Sequence, residues 1–285
     1  MPASVAVEAA RTALVDAYRG SLTGGPRVSA PAGDGELVFT VGGYNSAVGP
    51  TGFRVYGIGS EPVEQATLVW SKTRRLLAVV VGEELGARRT GAIGGVAVDL
   101  LARTDAEVVG LVGSGVQAWT QLWAIQAVRQ LRAVRVFSLH RDRREAVAAR
   151  AREELELPAT AVATAQDAVT AADIVVLATR SATPVIDAGW LQSGTHVSTV
   201  GPKFRSSHEC PVEIADRAVV AASDSPEQVD AHAEPCFTDR PLTHLGAIAA
   251  GEATGRVNGD DPTFFLSSGL AGSEVAIAAR LLQAW

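Results

Sequence analysis

Over residues 5 to 19, apolar side chains recur at helical spacing (Val5, Ala9, Leu14, Val15, Tyr18), and Gly, Pro and Ser then punctuate the chain to about residue 36. The pattern predicts an opening helix followed by loop. From Glu36 to Gly82 it shortens to β-branched runs at 37–41, 53–56, 66–70 and 76–81, broken by glycines. These read as antiparallel strands of a meander, with Lys72 to Arg74 as a hairpin turn. Gly91 to Arg103 returns to helical spacing, with Ile93, Val96, Ala97, Leu100 and Leu101 on one face.

Beyond Thr104, short buried runs at 108–112, 134–138, 174–177, 195–199 and 218–221 alternate with amphipathic segments such as 117–130 and 142–155. That alternation predicts a parallel, doubly wound sheet. A last helical stripe spans 268–282 with no strand after it, so it would return to the first domain. The expected division is residues 1–104 plus 268–285 as one domain and 105–267 as the other, with no internal repeat.

Composition narrows the classes of partner. At 47% hydrophobic and 20% charged residues, the 285-residue chain has ample material for packed cores. The formal charge of −6 is spread along the chain without basic residues interleaved with aromatics, so a small molecule is a better partner than nucleic acid. Cys210 and Cys236 read as reduced thiols. No basic segment precedes an apolar run near Met1, and the longest uncharged apolar stretch, at 76–81, is far below the ~20 residues of a membrane span. The expectation is a cytoplasmic protein, neither secreted nor membrane-embedded.

The strongest local motif is Gly113-Ser114-Gly115-Val116-Gln117-Ala118, a G-x-G-x-x-A element placed directly after a buried run and at the start of a helix. Glycines permit the tight turn and bring backbone N–H groups close to a pyrophosphate, and the helix N-terminus adds favourable partial charge. At the end of the second run, where NAD-selective sites carry Asp or Glu, stands Ser138, followed by His140, Arg141, Arg143 and Arg144. A hydroxyl beside cations suits a 2′-phosphate, so NADP is expected, with NAD possible.

Four stretches resemble the ornithine cyclodeaminase and mu-crystallin family. Arg89-Thr90-Gly91-Ala92, running on to Leu101-Ala102-Arg103, is similar to its R-T-G-A…L-A-R segment; 113–118 to its G-x-G-x-Q-A; 194–201 to its G-x-H-V-N-A-V-G; and 267–271 to its S-x-G-L-A. The resemblance covers about residues 20 to 283. It implies an α/β fold in which a Rossmann-type doubly wound parallel sheet domain is inserted in a smaller α/β dimerisation domain with a mostly antiparallel sheet. It also implies a homodimer with its active site between the domains and an amino or imino acid as substrate. By this resemblance Arg89, together with Arg27, holds the substrate carboxylate, a role two guanidinium groups suit well. Thr90 is expected near the cofactor, and Thr179, Gly201, Ser268 and Gly269 complete the cofactor-binding candidates.

Two chemical positions depart from the family. Arg54 stands where the family has a strand lysine, and Arg does not readily release a proton. The family's R-E-L-D segment corresponds to 208–211 here; Glu209 matches its Glu, but Pro211 falls at the Asp that serves as base, and Asp216 lies five residues on. Adding or expelling ammonia needs such a carboxylate, whereas reducing a protonated cyclic imine needs hydride delivery to a clamped substrate. The departures therefore favour an imine or ketimine reductase, within an expected class that also takes in enzymes like alanine dehydrogenase. The alternatives are an NAD-dependent ornithine cyclodeaminase and a non-catalytic NADP-binding crystallin-like protein. Five histidines and two cysteines show no zinc-ligand spacing, and no metal is expected. His196 reads as a hydrogen-bonded core residue. The 224–228 segment reads as a helix start capped by Ser225 or Asp224.

Overall fold

In the computed structural model, residues 1–45, 49–59, 64–231, 234–237 and 240–283 are described. Helix α1 (Ala3–Tyr18) opens the chain and buries Ala3, Ala6, Val7, Ala10, Ala13 and Leu14, the i, i+3/i+4, i+7 face of an amphipathic helix. A mostly antiparallel six-stranded sheet follows, built from β1 (Leu22–Gly24), β2 (Val28–Ala32), β3 (Gly35–Tyr44), β4 (Thr51–Ile58), β5 (Ala66–Trp70) and β6 (Leu76–Val81). Its order is β1-β3-β4-β5-β6, with β2 also paired to β3. Strands β1 and β2 lie where the sequence predicts only loop. Both are short edge strands, and β2 is largely exposed and contains Pro31, so neither carries the alternation that betrays a half-buried strand.

Helix α2 (Glu84–Leu101) starts seven residues before the predicted Gly91, so Arg89 lies on a buried helix and not in a loop. Its glycines are close-contact points. A Cβ on Gly91 would come within 2.2 Å of the Thr120 carbonyl oxygen, and one on Gly95 within 3.0 Å of Ala124 Cβ.

Eight parallel strands form the second sheet: β7 (Val108–Val112), β8 (Ala133–Phe137), β9 (Ala159–Ala161), β10 (Ile174–Leu177), β11 (His196–Thr199), then, after a small hairpin of β12 (Lys203–Phe204) and β13 (Ser207–His208), β14 (Val220–Ser223), β15 (Thr243–His244) and β16 (Thr263–Leu266). Helices α3 (Val116–Ile125), α4 (Arg141–Leu155), α5 (Ala165–Val169), α6 (Val212–Arg217), α7 (Pro226–Asp230) and α8 (Leu245–Ala249) connect or flank them. The order β15-β14-β16-β11-β10-β7-β8-β9 reverses direction between β7 and β10, the switch point where doubly wound sheets bind ligands. Strand β16, which the predicted runs do not include, lies between β11 and β14 with every residue buried.

Separate apolar clusters cover the two faces of this sheet. A third joins α1, α2 and α9 (Ser273–Gln283) to Phe265 and Ala222 of the parallel sheet. Helix α9 begins five residues later than the predicted 268, because 267–272 turns through two positive-φ glycines, Gly269 and Gly272. That turn forms one wall of the cleft. His196 is fully buried, with its ring nitrogens against Thr263 Oγ1 at 3.0 Å and Ser198 Oγ at 2.9 Å. Burial and the nearby Arg256 and Arg129 push its pKa down to about 3, so it is a neutral core histidine.

Candidate active site

A cleft of about 270 Å³ opens between α2, β4, the N-terminus of α3 and the 267–269 turn, and Arg27, Arg54, Arg89, Thr90, Val116, Gln117, Ser268 and Gly269 of the candidate residues line it. Arg89 is 7% exposed, and its Nε and Nη2 donate to Glu274 Oε1 at 3.0 and 2.6 Å. Arg54, reaching across from β4, donates from Nη1 to the same oxygen at 3.3 Å and from Nη2 to Gln65 Oε1, and its guanidinium lies over the Tyr56 ring. Burial and the positive field of Arg89 lower the Arg54 pKa, against the opposing pull of Glu274. Burial would raise the Glu274 pKa, but Arg89 and Arg54 outweigh it and hold the carboxyl below its usual range.

Glu274 thus occupies one edge of Arg89 and leaves Nη1 directed at the turn. A Cβ built on Gly269 would lie 3.3 Å from Arg89 Nη1 and 3.4 Å from Arg27 Nη2, so two guanidinium groups converge there. With φ at +94°, Gly269 holds a conformation that other residues rarely adopt. Arg27 Nη2 also donates to the Ser268 carbonyl at 3.4 Å. Two convergent cations beside a side-chain-free backbone suit a small planar carboxylate.

The turn is fixed from below by Asp224. Fully buried, it accepts from the backbone N–H groups of Ser268, Gly269 and Leu270 at 2.7, 3.0 and 3.2 Å, and from Ser268 Oγ at 2.9 Å. The segment read as a helix start thus ties the cleft to the end of β14. Glu209 departs further from its expected role. It does not line the cleft but is fully buried, and it accepts five hydrogen bonds: from Thr179 N and Oγ1 (2.6 and 2.7 Å), Thr199 Oγ1 (2.8 Å), Val200 N (3.2 Å) and Gly201 N (2.6 Å). Thr179 and Gly201 are therefore its partners and stand outside the cleft lining.

The residues around α3 fit a dinucleotide. Gly113 has φ +131°, and a Cβ there would meet the Ala178 carbonyl oxygen at 2.3 Å, whereas a Cβ on Gly115 would meet nothing within 4 Å. The tight turn and the open approach that phosphates need are thus both present. Ser114 lies between them; no side chain caps α3, and its first turn has no acidic residue. Buried Gln117 Oε1 has no hydrogen-bond partner among the described residues. At the end of β8, Ser138 Oγ donates to the His140 carbonyl, and Arg144 donates to the Ser138 carbonyl at 2.9 Å. Arg141 is exposed, paired with Glu145 at 2.7 Å, and Arg143 is exposed beside it.

Sequence pattern alone passes over Glu274, Lys203, Tyr56 and Gln65, and reads Asp224 only as a candidate helix cap. Glu274 carried one signal, a charge inside an otherwise apolar helical stripe. Among the described residues, no group of three or more His, Cys, Asp or Glu side chains could hold a metal ion. No described helix is long and apolar enough to cross a membrane.

Residues 9–285 match the model of the ornithine cyclodeaminase/mu-crystallin family. Over 231 residues the chain is 31% identical to a Delta(1)-pyrroline-2-carboxylate reductase of Bacillus cereus, covering 74% of this chain and 68% of that protein. It is 30% identical to the alanine dehydrogenase of Archaeoglobus fulgidus, covering 71% and 64%. The solved structure of Thermococcus litoralis Delta(1)-pyrroline-2-carboxylate reductase in complex with NADH and L-proline superposes with a TM-score of 0.86 at 27% identity, covering 98% of this chain and 91% of that one.

Proposed function

The chain belongs to the ornithine cyclodeaminase/mu-crystallin family, and from that premise we propose that it is an NAD(P)-dependent oxidoreductase of a small amino or imino acid, acting as an imine reductase. The observation that carries this reading is the convergence of Arg27 and Arg89 on Gly269, beside the uncapped N-terminus of α3. Arg89 and Arg27 take the carboxylate, and Glu274 and Asp224 hold the arginine and the turn in place. Gly113 to Gln117 receive the pyrophosphate, with Thr90, Ser268 and Gly269 lining the side of the nicotinamide. When bound, the nicotinamide supplies or accepts the hydride. Pro211 at the base position argues against cyclodeamination.

We assign residues 1–104 with 268–285 to the substrate-binding and dimerisation domain and 105–267 to the nucleotide domain. NADPH is the proposed coenzyme, because Arg141 and Arg143 offer exposed cations beside the end of β8 with no carboxylate at Ser138. Following NADPH and NADH absorbance against cyclic imino acids, 2-oxo acids with amines, and ornithine tests both points. Imines are reduced, NADPH binds more tightly than NADH, and Arg141→Ala narrows the difference; equal affinities or a preference for NADH would reject the coenzyme assignment.

The register of the antiparallel sheet puts Val28, Val41, Leu76, Val79 and Val81 on one face, and all five are exposed. A symmetric homodimer covering this sheet is the proposed assembly. Light scattering at micromolar concentration gives a dimer mass, and Val79→Asp with Val81→Asp gives a monomer; a monomeric wild type ends the idea. Cys210 and Cys236 are buried thiols outside any disulfide, consistent with a reducing cytoplasm.

A further inference from the structure

Of the 25 lysines and arginines, only Lys72 and Lys203 are lysines. Lys72 is exposed in the turn between β5 and β6. Lys203 lines the cleft, where every other cation is a guanidinium: Arg27, Arg54 and Arg89. A guanidinium keeps its proton at any pH a folded protein meets, but an ammonium can release one. Among the described residues that line it, the cleft therefore holds three fixed positive charges and one ammonium that can release a proton.

Lys203 opens the β12–β13 hairpin, and its Nζ donates to the Val200 carbonyl at 3.4 Å, a long contact that leaves two N–H bonds for other partners. The charged groups facing it are Asp224 behind β14, Glu209 behind the hairpin and Arg27 from the β1–β2 loop. The oxygens of Asp224 and Glu209 are already engaged by backbone and hydroxyl donors. Across the cleft stand Arg54, Arg89, Tyr56 and Glu83. Arg54 covers the Tyr56 ring and cannot act as an acid itself.

We propose that Lys203 is the catalytic acid that protonates the nitrogen of an imine bound in its neutral form. This rests on the imine-reductase reading. A hydride and its electron pair reach the imine carbon from reduced nicotinamide, which ends oxidised. The C=N π pair moves to nitrogen, a new N–H bond forms there, and the Lys203 Nζ–H bond breaks. Lys203 is left as a neutral amine and regains a proton from water. Burial lowers its pKa and Arg27 adds to this, while Asp224 and Glu209 pull the other way; the net shift is below the ordinary value of 10.5, which eases the proton's release.

With only two lysines, 13Cε-labelled lysine gives two resolvable signals, so Lys203 can be titrated in the nucleotide-free protein. Its titration is expected to fall below the ordinary lysine value of 10.5 and to move when pyrrole-2-carboxylate, a planar carboxylate that is not reduced, is added. In turnover, kcat/KM for the imine falls above the Lys203 pKa measured by NMR. Lys203→Met and Lys203→Arg both lose about 100- to 10,000-fold, the range of a general acid, while NADPH affinity stays within about threefold of wild type. Methylammonium restores part of the rate to a Lys203→Ala variant. Wild-type turnover with Lys203→Arg nearly as active overturns the assignment alone, because a fixed charge would then suffice. Wild-type protein that reduces no imine overturns the underlying reading and this role with it.

Discussion

Replacing Arg89 with alanine lowers kcat/KM for the imine by about 30- to 5,000-fold, the roughly 2 to 5 kcal/mol expected when a buried charge loses its partner, while NADPH affinity stays near the wild-type value. The cause lies in how the guanidinium is shared. Nε and Nη2 both point to Glu274 Oε1, so Arg89 is oriented before any ligand arrives, with Nη1 presented at Gly269 opposite Arg27 Nη2. Alanine removes both the substrate contact and the main counter-charge of a carboxylate that is 2% exposed. Arg89→Lys keeps the charge but cannot reach Glu274 and the ligand at once, because an ammonium is a point donor without the fork. It is therefore expected close to the alanine variant. Nucleotide affinity is spared because the proposed pyrophosphate site at Gly113 to Gln117 belongs to α3 and the end of β7. Measuring kcat/KM and nucleotide affinity in parallel, with the melting temperature as a check on folding, tests this. Turnover near wild type in a folded Arg89→Ala protein would move the carboxylate site elsewhere.

How far the sequence reveals this arrangement depends on the length scale of the interactions. Strands β7 and β10 and the strand–turn–helix around Gly113 are legible because they repeat locally and each element announces itself within a few residues. Arg89 is identified by its motif, yet its setting is misread, since helical spacing shows only from Gly91 onward and the first turns, with Gly86 among them, look like loop. Only the packing of α2 against Arg54 and α3 explains why glycines sit inside a helix. Strand β16 is hidden for a similar reason: its place in mid-sheet comes from neighbours 40 to 70 residues away. Glu274 and Lys203 escape notice, and Asp224 is read only as a helix cap, because each acts through partners distant in the chain. Arg89 is 185 residues from Glu274, and Asp224 is 44 residues from Ser268. Glu209 was found for its chemistry, but its burial could not be read from a segment of mixed polarity.

Glu209 is the residue for which motif and geometry part most clearly, and its substitution is expected to cost stability before activity. Oε2 accepts from Thr179 N and Oγ1, and Oε1 from Thr199 Oγ1, Val200 N and Gly201 N. The carboxylate thereby ties the end of β10 to the end of β11, and with five donors taken it has no free lone pair directed at a ligand. Alanine would strand three backbone N–H groups in a buried space, at a cost of about 3 to 5 kcal/mol, or roughly 6 to 20 °C in melting temperature. Glutamine nearly preserves the shape but still costs about 1 to 3 kcal/mol. Either amide orientation sets an NH2 against a backbone N–H, which, unlike the threonine hydroxyls, cannot turn away. If Glu209 is a clamp, the folded Glu209→Gln protein keeps kcat/KM within about tenfold of wild type and an unchanged pH profile, because proton transfer lies with another group. Thermal melts with pH–rate profiles of wild type, Glu209→Gln and Glu209→Ala decide the matter. A glutamine variant with native stability and abolished turnover would restore Glu209 to the chemistry, and the carboxylate would then have to exchange its five donors for substrate during each cycle.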